Sequence, residues 1–534
     1  MPSKKTLSRL NHIFGFIIYC IFLLYFGFSI ANFVVKADEL RAGGIILNFL
    51  VLIFELLGPL YATYFLIQNI DGVLDIGTIK YDIKKIKNNP LIDVIIPVHN
   101  VNPKILDLTL EGCSKFSYPN FNVWIADDNS LPEFEKSSQK LAQKYNFTYM
   151  RGKGRSYKAG VVNQALAQSK AKYVAIFDSD QIPVPEILDK FIAILQQHPE
   201  YVFVQAKYEF RSVTNFLHIW ETMSTHQLFV SEGGKRRIDS VVFFGTSACF
   251  LKEHLYPLPE NKLSEDYDHY ITIAAQGYHG YWLNEVAARG LSTESFDHKM
   301  SQMFRWTKGQ FGAVMDHKKE LFHSELKLRQ RIDIFMSSTV VVVLTSFYFM
   351  GALYIAYYFA DIPLVRTLGI DQFAPIIMAV IVMVVYFGVF GAVGAYSKKS
   401  KDFKFRWWHV LFFMLYGALM APFLLIPLAN GFLGRNKIKP DKKFQWNKKI
   451  RVYLIATIYT ILGIGFAFLG VISILDTMNI GTTFQLYTAA PYNIFYAIFF
   501  SIAFMLIFAL PFVAISKKFF KIKEFYTEDT SIYY

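Results

Sequence analysis

The sequence is poor in cysteine and, relative to its basic residues, poor in acidic ones. Only three cysteines occur in 534 residues, Cys20, Cys113 and Cys249, and their spacing matches no metal site. This scarcity indicates a reducing compartment and excludes a fold held by structural disulfides. Internal repeats and low-complexity segments are also lacking. Asp and Glu number 42 against 55 Lys and Arg, so the formal net charge is +13.

The excess basic residues lie beside apolar runs and do not form one contiguous stripe. Nucleic-acid binding is therefore the weaker explanation of the charge, and anchoring at the cytoplasmic face of a membrane is the stronger one. Hydrophobic residues make up 53% of the chain and aromatic residues 17%. The mean hydropathy of +0.29 is high for a soluble protein of this length. Membrane spans are therefore expected.

Six apolar runs are long enough to cross a hydrocarbon core of roughly 30 Å. They lie near residues 13–35, 44–67, 334–359, 373–396, 452–475 and 494–515. The first run follows basic residues, as in a signal peptide, but its length and the lack of a small-residue cleavage site predict a retained anchor. Another run, Trp407–Gly434, has basic loops on both sides, so we expect it to be re-entrant or interfacial. Both termini are then cytoplasmic, in a multi-pass protein of the plasma membrane.

The part between the second and third runs has a different pattern. Over residues 71–310, short apolar strands alternate with amphipathic helices, which predicts a parallel α/β sheet in one cytoplasmic domain. Four expected strands are Asp93–Pro97, Val123–Ala126, Tyr173–Phe177 and Val202–Gln205. Residues 311–332 are basic and amphipathic, and we expect one helix there on the membrane surface. The expected domains are thus 1–70 (two spans), 71–310 (α/β), 311–332 (interface helix) and 333–534 (membrane region).

The strand at Tyr173–Phe177 ends in Asp178-Ser179-Asp180. Two carboxylates one residue apart at the carboxyl end of a strand can turn toward one divalent ion. Hard oxygen ligands favour Mg²⁺ or Mn²⁺, and such an ion binds a diphosphate well. The alternative for this motif taken alone is a solvated acidic turn.

Other polar residues follow the remaining strands. His99 and Asn100 end the first strand, and Asp127 is the first of two aspartates that end the second. Ligands of α/β folds bind at such strand ends. Lys158 lies in a basic, glycine-bearing loop that runs into a helix and is a candidate phosphate ligand. A plain surface loop is the alternative for this last segment.

Three segments farther along complete the set of candidates. Gly245, Thr246 and Ser247 follow two phenylalanines and form a plausible floor for a sugar, although a tightly packed strand has the same pattern. Glu265 and Asp266 begin an expected helix, where acidic residues also serve as ordinary partners of the helix dipole. The third segment is Gln302-Met-Phe-Arg-Trp306.

Taken in order, these motifs resemble those of the processive family-2 glycosyltransferases, which are the cellulose, hyaluronan and related polysaccharide synthases. The shared motifs are DD (Asp127, Asp128), KAGxxN (Lys158–Asn163), DxD (Asp178–Asp180), ED (Glu265, Asp266) and QxxRW (Gln302–Trp306). The chain departs from cellulose synthases at Ser264, where Thr is usual, at Met303, where Arg or Gln is common, and in FFGTS, where they have FFCGS. The membrane pattern is more similar to that of hyaluronan synthase.

The resemblance implies a GT-A fold, an inverting mechanism and a transmembrane channel for the growing polymer. It implies the following roles: Asp127 for the uracil, Lys158 for the phosphates, Asp178 and Asp180 for donor and Mg²⁺ or Mn²⁺, Asp266 as general base, Gln302 and Arg305 for the pyrophosphate, and Trp306 for the terminal sugar of the acceptor. His99, Asn100, Gly245, Thr246, Ser247 and Glu265 are expected to line the substrate site as well.

The expected function is polymerisation of a UDP-sugar and export of an extracellular or capsular polysaccharide. FFGTS and the Ser264–Asp266 segment favour UDP-glucose and a β-glucan. The expected partners are the donor, the growing polysaccharide and the lipid bilayer. The alternatives are a synthase that uses UDP-N-acetylglucosamine or UDP-glucuronate, a non-processive transferase that charges a lipid carrier, and a transporter with a degenerate α/β domain.

Overall fold

The computed structural model describes residues 3–35, 42–211, 213, 215–293, 296–340, 374–410, 412–413 and 424–433. The strands are β1 (Ile92–Val98), β2 (Phe121–Asp127), β3 (Thr148–Arg151), β4 (Tyr173–Ile176), β5 (Ile182–Pro183), β6 (Tyr201–Phe210), β7 (Ala248–Leu251) and β8 (His279–Gly290). The helices are α1 (Lys4–Val35), α2 (Ala42–Leu74), α3 (Pro103–Ser114), α4 (Pro132–Tyr145), α5 (Tyr157–Gln168), α6 (Ile187–Gln197), α7 (Phe216–Lys235), α8 (Glu265–Ala275), α9 (Phe296–Asp316), α10 (Lys318–His323), α11 (Ala374–Ser397) and α12 (Leu425–Phe432). Residues 328–340 are also helical.

The strands form one sheet in the order β3-β2-β1-β4-β7-β6-β8-β5. The first four of these are parallel, and Asp93 lies beside Asn122 on one side and Val174 on the other. The four expected strands all occur, and none of their ends differs by more than five residues from the expected one. They form because β-branched and aromatic residues fit a pleated surface that is buried on both faces.

The predicted parallel arrangement holds for β3, β2, β1 and β4, but the sheet is mixed, because β7 runs antiparallel to both β4 and β6. Ala248, the first residue of β7, pairs with Ile176 at the carboxyl end of β4. An antiparallel strand begins where its parallel neighbours end. The residues just before β7, Gly245–Ser247, are therefore brought to the edge where Asp178 lies.

Helices cover both faces of the sheet. Along β1, Ile92, Val94 and Ile96 pack against one apolar layer, which includes α3 and α6, whereas Ile95 packs against the other, which includes α5, α7, α8 and α9. Side chains alternate between the two faces of a strand, so a run of apolar residues fills both layers. The domain is a three-layer α/β/α structure.

Helices α1, α2 and α11 pack together beside this domain. They share an apolar cluster made by Ile18, Phe22, Ala62, Leu66, Val385 and Val389. Helix α2 also crosses α7 of the α/β domain with the two backbones in contact. A Cβ atom at Gly72 would collide with the carbonyl of Val230, and one at Gly234 would collide with the carbonyl of Gln68. Glycine at both positions is thus what lets the α/β domain pack this closely onto α2.

The membrane predictions are tested only in part. Of the described residues, α1 is the one helix long and apolar enough to cross a membrane, and a shorter apolar stretch, Val384–Ser397, lies in α11. Helix α2 covers the second expected span and α11 the fourth. The spans near 452–475 and 494–515, and most of the one near 334–359, lie outside the described residues. Within the expected re-entrant segment, residues 407–434, the structure has the short helix α12, which packs against α9.

The stretch 311–332 is not the single amphipathic helix that we expected. It is divided between the end of α9, the short α10 and the beginning of the helix at 328–340. His317 separates α9 from α10, and its imidazole Nε2 contacts Asp268 Oδ1 at 3.1 Å. Helix α9 therefore runs through the expected domain boundary at residue 310.

Candidate active site

Residues that follow β1, β2 and β4 meet at one edge of the sheet. These strands are parallel neighbours, so their carboxyl ends lie side by side. The sheet thus places His99 and Asn100 along one edge between Asp127 and Asp128 on one side and Asp178–Asp180 on the other. This juxtaposition is the one that the strand pattern predicts.

Asp127 ends β2 and is fully buried. Its Oδ1 accepts a hydrogen bond from the backbone N–H of Ser130 at 2.8 Å, and its Oδ2 accepts one from the hydroxyl of Tyr149 at 2.8 Å. The protein itself therefore contacts both carboxylate oxygens. Each oxygen has a second lone pair, so the uracil contact implied for Asp127 stays a prediction. No sequence pattern predicted the contact of Tyr149.

His99 and Asn100 brace the end of β1 against the loop after β2. The imidazole Nδ1 of His99 lies 3.0 Å from the backbone carbonyl oxygen of Asp128. The backbone N–H of Asn100 donates to Ser130 Oγ at 2.9 Å, and its side-chain oxygen accepts from the backbone N–H of Leu131 at 2.8 Å. Asn100 has a φ of +51°, a conformation that asparagine tolerates better than most residues. Both residues therefore fix the loop after β2 relative to the end of β1.

Lys158, in the first turn of α5, lies among carboxylates. Its ammonium donates to Asp178 Oδ1 at 2.6 Å. Burial lowers the pKa of this ammonium, but the charges of Asp178, Glu265 and Asp266 raise it, and the net pKa lies above the ordinary value. Lys158 is therefore a fixed positive charge beside the DxD motif and near the N-terminus of a helix, two features that favour phosphate.

Asp178 and Asp180 have the chemistry of a metal site. Burial and the negative charge of Asp178 raise the pKa of Asp180 to about 6, while the positive charge of Arg211 acts in the opposite direction. Two carboxylates that disfavour each other's charge are stabilised by a divalent cation. Across the described part of the chain, no group of three or more His, Cys, Asp and Glu side chains gathers. Two carboxylates suffice for Mg²⁺ when substrate phosphates complete its coordination, so the residues fit such an ion.

Thr246 and Ser247 are buried behind the DxD motif. The backbone N–H of Asp178 donates to Thr246 Oγ1 at 3.0 Å. Both hydroxyls donate to the side-chain oxygen of Gln181, at 2.7 Å from Thr246 and 3.0 Å from Ser247. These contacts support Asp178 from behind, and the hydroxyls are directed into the protein. Gln181, which the sequence did not single out, is thus a supporting residue of the site.

Gly245 lies between Lys158 and Asp266. A Cβ atom there would be 3.0 Å from Asp266 Oδ2 and 3.4 Å from Lys158 Nζ, and the φ of Gly245 is +77°. Asp266 is in the first turn of α8. Burial and the adjacent charge of Glu265 raise its pKa to about 7, against the lowering effect of Lys158 and Arg305. A carboxylate with a pKa near neutrality suits a general base.

Helix α9 carries the QxxRW motif past this group. The positive charge of Arg305 in this motif lowers the pKa of Asp266. Trp306 is 37% exposed, so one part of its indole is open to a ligand. The side-chain oxygen of Gln302 accepts a hydrogen bond from Lys299 at 2.9 Å. Lys299 and its partner Glu221 were not predicted from the sequence.

Part of the chain matches a known protein family. Residues 93–255 match the family described as glycosyl transferase family 2. Cellulose synthase 2 of Novacetimonas hansenii is 26% identical over 257 residues, which are 46% of this chain and 16% of that protein. The cellulose synthase catalytic subunit [UDP-forming] of Pseudomonas fluorescens is 24% identical over 419 residues, which are 74% of this chain and 55% of that protein. The chain thus spans little more than half the length of these relatives at most.

Among solved structures, a mannosyltransferase from Pyrobaculum calidifontis in complex with GDP-Man and Mn²⁺ is similar to this chain. It is 14% identical with a TM-score of 0.48, and the match covers 66% of this chain and 98% of that one. The family match and the sheet edge with its DxD motif identify residues 93–255 as a family-2 glycosyltransferase domain, an enzyme domain in a chain that resembles the cellulose synthases.

Proposed function

We propose that the protein is a processive, inverting glycosyltransferase of the plasma membrane that polymerises a UDP-sugar and exports the polysaccharide. The observation that carries the proposal is the convergence of Asp178, Lys158, Gly245 and Asp266 at one sheet edge, with the QxxRW helix beside them. A donor phosphate site and a base with a pKa of about 7 are thus close enough to act on one substrate.

The donor side of the site would bind the diphosphate. Lys158 offers an ammonium and the first turn of α5 offers backbone N–H groups, both of which favour phosphate oxygens. Asp178 and Asp180 would hold Mg²⁺ or Mn²⁺, which supplies positive charge to the leaving diphosphate. The hydroxyl of Thr246 keeps the backbone of Asp178 in place.

Asp266 would act on the acceptor. Its carboxylate takes the proton of the acceptor hydroxyl as the oxygen attacks the anomeric carbon, and the bond from that carbon to the diphosphate oxygen breaks. One displacement inverts the anomeric centre, so an α-linked donor gives a β-linked product. Gly245 leaves room beside Asp266 Oδ2, since even a methyl group there would be in contact with that oxygen.

Trp306 would support the end of the growing chain. The exposed part of its indole offers a flat apolar face for a pyranose ring. Helix α9 carries both Trp306 and Arg305, and Arg305 affects Asp266 electrostatically. The acceptor platform and the base are therefore on adjacent elements, as a transfer reaction requires.

Export would use the membrane region, with the α/β domain on the cytoplasmic side. The apolar helix α1, the contact of α2 with α7 and the packing of α11 on α2 support a domain held against membrane helices. Six spans and a re-entrant segment at 407–434 would enclose the path of the polymer. The basic loops beside these segments favour this orientation.

The proposed donor is UDP-glucose, and the product is a β-glucan. The test uses purified protein with Mg²⁺ or Mn²⁺ and UDP-glucose, UDP-N-acetylglucosamine, UDP-glucuronate or GDP-mannose, with release of nucleotide and product size as readouts. We expect polymer from UDP-glucose and at least tenfold less from the other donors, because sites that hydrogen-bond a substituent reject analogues strongly. Polymer from another UDP-sugar alone would overturn the glucan assignment. Transfer of single sugars to a lipid would identify a non-processive transferase, and the absence of any transfer would favour a transporter.

A further inference from the structure

Lys299 is a buried cation in an unfavourable place. It lies in the first turn of α9, where the helix dipole disfavours positive charge. Its side chain is 6% exposed and that of its ion-pair partner Glu221 is 4% exposed, with 2.8 Å between Nζ and Oε1. A buried ion pair is weak evidence for stability, because the cost of desolvation offsets most of the attraction. Stability alone therefore does not explain the pair, and a role in the neighbouring candidate site does.

Glu221 holds this cation firmly. The carboxylate comes from α7, and its Oε2 accepts the backbone N–H of Thr293, just before α9, at 2.8 Å. Burial raises the pKa of Glu221, but the charge of Lys299 and these hydrogen bonds lower it below its usual value. The carboxylate is therefore ionised, and it fixes Lys299 relative to both the start of α9 and the middle of α7.

Lys299 shares one face of α9 with two residues of the QxxRW motif. Gln302 is three residues farther along and Trp306 is seven, which is the spacing of neighbours on a helix surface. The ammonium is 2.9 Å from Gln302 Oε1 and 5.0 Å from the centre of the Trp306 ring. The ring of Trp220 on α7 lies 5.8 Å from the same ammonium. Cation–π attraction thus restrains the Trp306 indole through the same atom that binds Gln302.

The hydrogen bond from Lys299 determines which end of the Gln302 amide faces the ammonium. An ammonium can only donate hydrogen bonds, so the amide oxygen of Gln302 has to face Lys299. The NH₂ group of Gln302 then faces away from Lys299, on the side where its two N–H donors could bind a ligand oxygen. A neutral residue at position 299 would leave the amide able to turn over and present its oxygen instead.

We propose that Lys299 is a positioning residue of the transfer site. It sets the orientation of the Gln302 amide and the position of the Trp306 ring. The inference rests on the proposed function, because it assumes that these two side chains contact the substrates. Lys299 itself is paired with Glu221 and is not a ligand of the substrate. Its role is carried by the two motif residues on its helix face.

The test compares Lys299→Met, Gln302→Ala, the double variant and the control Lys140→Met in the full-length protein. Lys140 is exposed on α4, so its variant removes the same ammonium away from the site. Two quantities are measured: the rate of sugar transfer, and the UDP released per sugar incorporated. A loss of folded protein lowers transfer without changing the second quantity, whereas a misplaced acceptor exposes the donor to hydrolysis and raises it.

We expect Lys299→Met to lower transfer about tenfold or more, as small displacements of a positioned group do, and to raise UDP release per sugar. The loss in the double variant should be smaller than the product of the two single losses, because Lys299 and Gln302 act in part through the same contact. Lys140→Met should behave as wild type. Transfer by Lys299→Met within about twofold of wild type, or losses that multiply in the double variant, would overturn the inference.

A second variant, Glu221→Gln, tests the inference if Lys299→Met does not fold. Glu221→Gln keeps the shape and an acceptor for Thr293 but weakens the hold on Lys299, so it should also raise UDP release per sugar. A folded Glu221→Gln protein with the wild-type ratio would then overturn the inference. If the wild-type protein transfers no sugar from any donor, the proposed function fails and this inference fails with it, whereas an active wild type with an unaffected variant refutes the inference alone.

Discussion

The ammonium of Lys158 and Oδ1 of Asp178 are 2.6 Å apart, and this pair joins the start of α5 to the end of β4. It brings a phosphate-binding type of residue into contact with a residue of the DxD motif. Glu265 and Asp266 act on the same ammonium from α8. The site thus places one lysine among several carboxylates, which is the arrangement that the proposed binding of a cation and a diphosphate requires.

The first prediction concerns the metal. Asp180→Asn should weaken metal-dependent UDP binding and abolish synthesis, because it removes the charge of a hard oxygen ligand. UDP affinity is measured by calorimetry with and without Mn²⁺. Asp107→Asn, in an exposed ion pair with Lys144, serves as the control and should have little effect. Normal Mn²⁺-dependent turnover by Asp180→Asn would refute the metal assignment.

Asp266→Asn should affect chemistry and spare donor binding. The base acts on the acceptor hydroxyl, so UDP affinity should stay near that of wild type while turnover falls by about 10² or more. Single-turnover rates and UDP titration separate the two quantities. A parallel fall in UDP affinity and turnover would mean that Asp266 is a donor ligand.

The activity should depend on the ionisation of Asp266. Its pKa is raised to about 7, and the base works only when deprotonated, so kcat/KM should rise with pH through about 7 and level off above it. Arg305 lowers this pKa by stabilising the charged carboxylate. In Arg305→Gln the rising limb should therefore move to higher pH. A limb that stays in place or moves to lower pH would contradict this placement of Arg305.

Gly245→Ala tests the space beside the base. The new methyl group would be 3.0 Å from Asp266 Oδ2, and the φ of +77° adds strain of about 1 kcal/mol. Gly277→Ala is a matched control, since its φ is +87° but its nearest contact is an ordinary 3.5 Å. Both variants should lose similar stability in thermal unfolding, and Gly245→Ala alone should lose transfer tenfold or more. Equal activity of the two would show that Gly245 has only a backbone role.

The topology prediction addresses a part of the chain outside the described residues. In a background without the native cysteines, Lys442→Cys and Ser516→Cys should be shielded from an impermeant thiol reagent in intact cells. Thr482→Cys, in a loop without Lys or Arg, should react. Labelling at position 442 from outside would mean that 407–434 is a full crossing.

Much of the fold was predictable because it depends on local patterns. Short apolar runs gave β1, β2, β4 and β6, and their carboxyl ends had to share one edge in a parallel arrangement. The DxD motif and the acidic start of α8 were visible for the same reason, since each lies within a few residues of a strand end or helix start. The resemblance added roles to these positions, and those roles stay predictions.

The sequence by itself determined where chemistry-bearing residues sit on their own strands and helices. The tertiary structure alone decided the rest, because the deciding contacts join residues far apart in the chain. Antiparallel β7 brings Gly245–Ser247 to Asp178, and it turns the hydroxyls of Thr246 and Ser247 inward to Gln181. The buried position of Lys299 likewise depends on its ion pair with Glu221 on α7, which lies 78 residues earlier in the chain. The periodicity of apolar residues predicts which face of a helix or strand is buried, but not which distant side chain packs against that face.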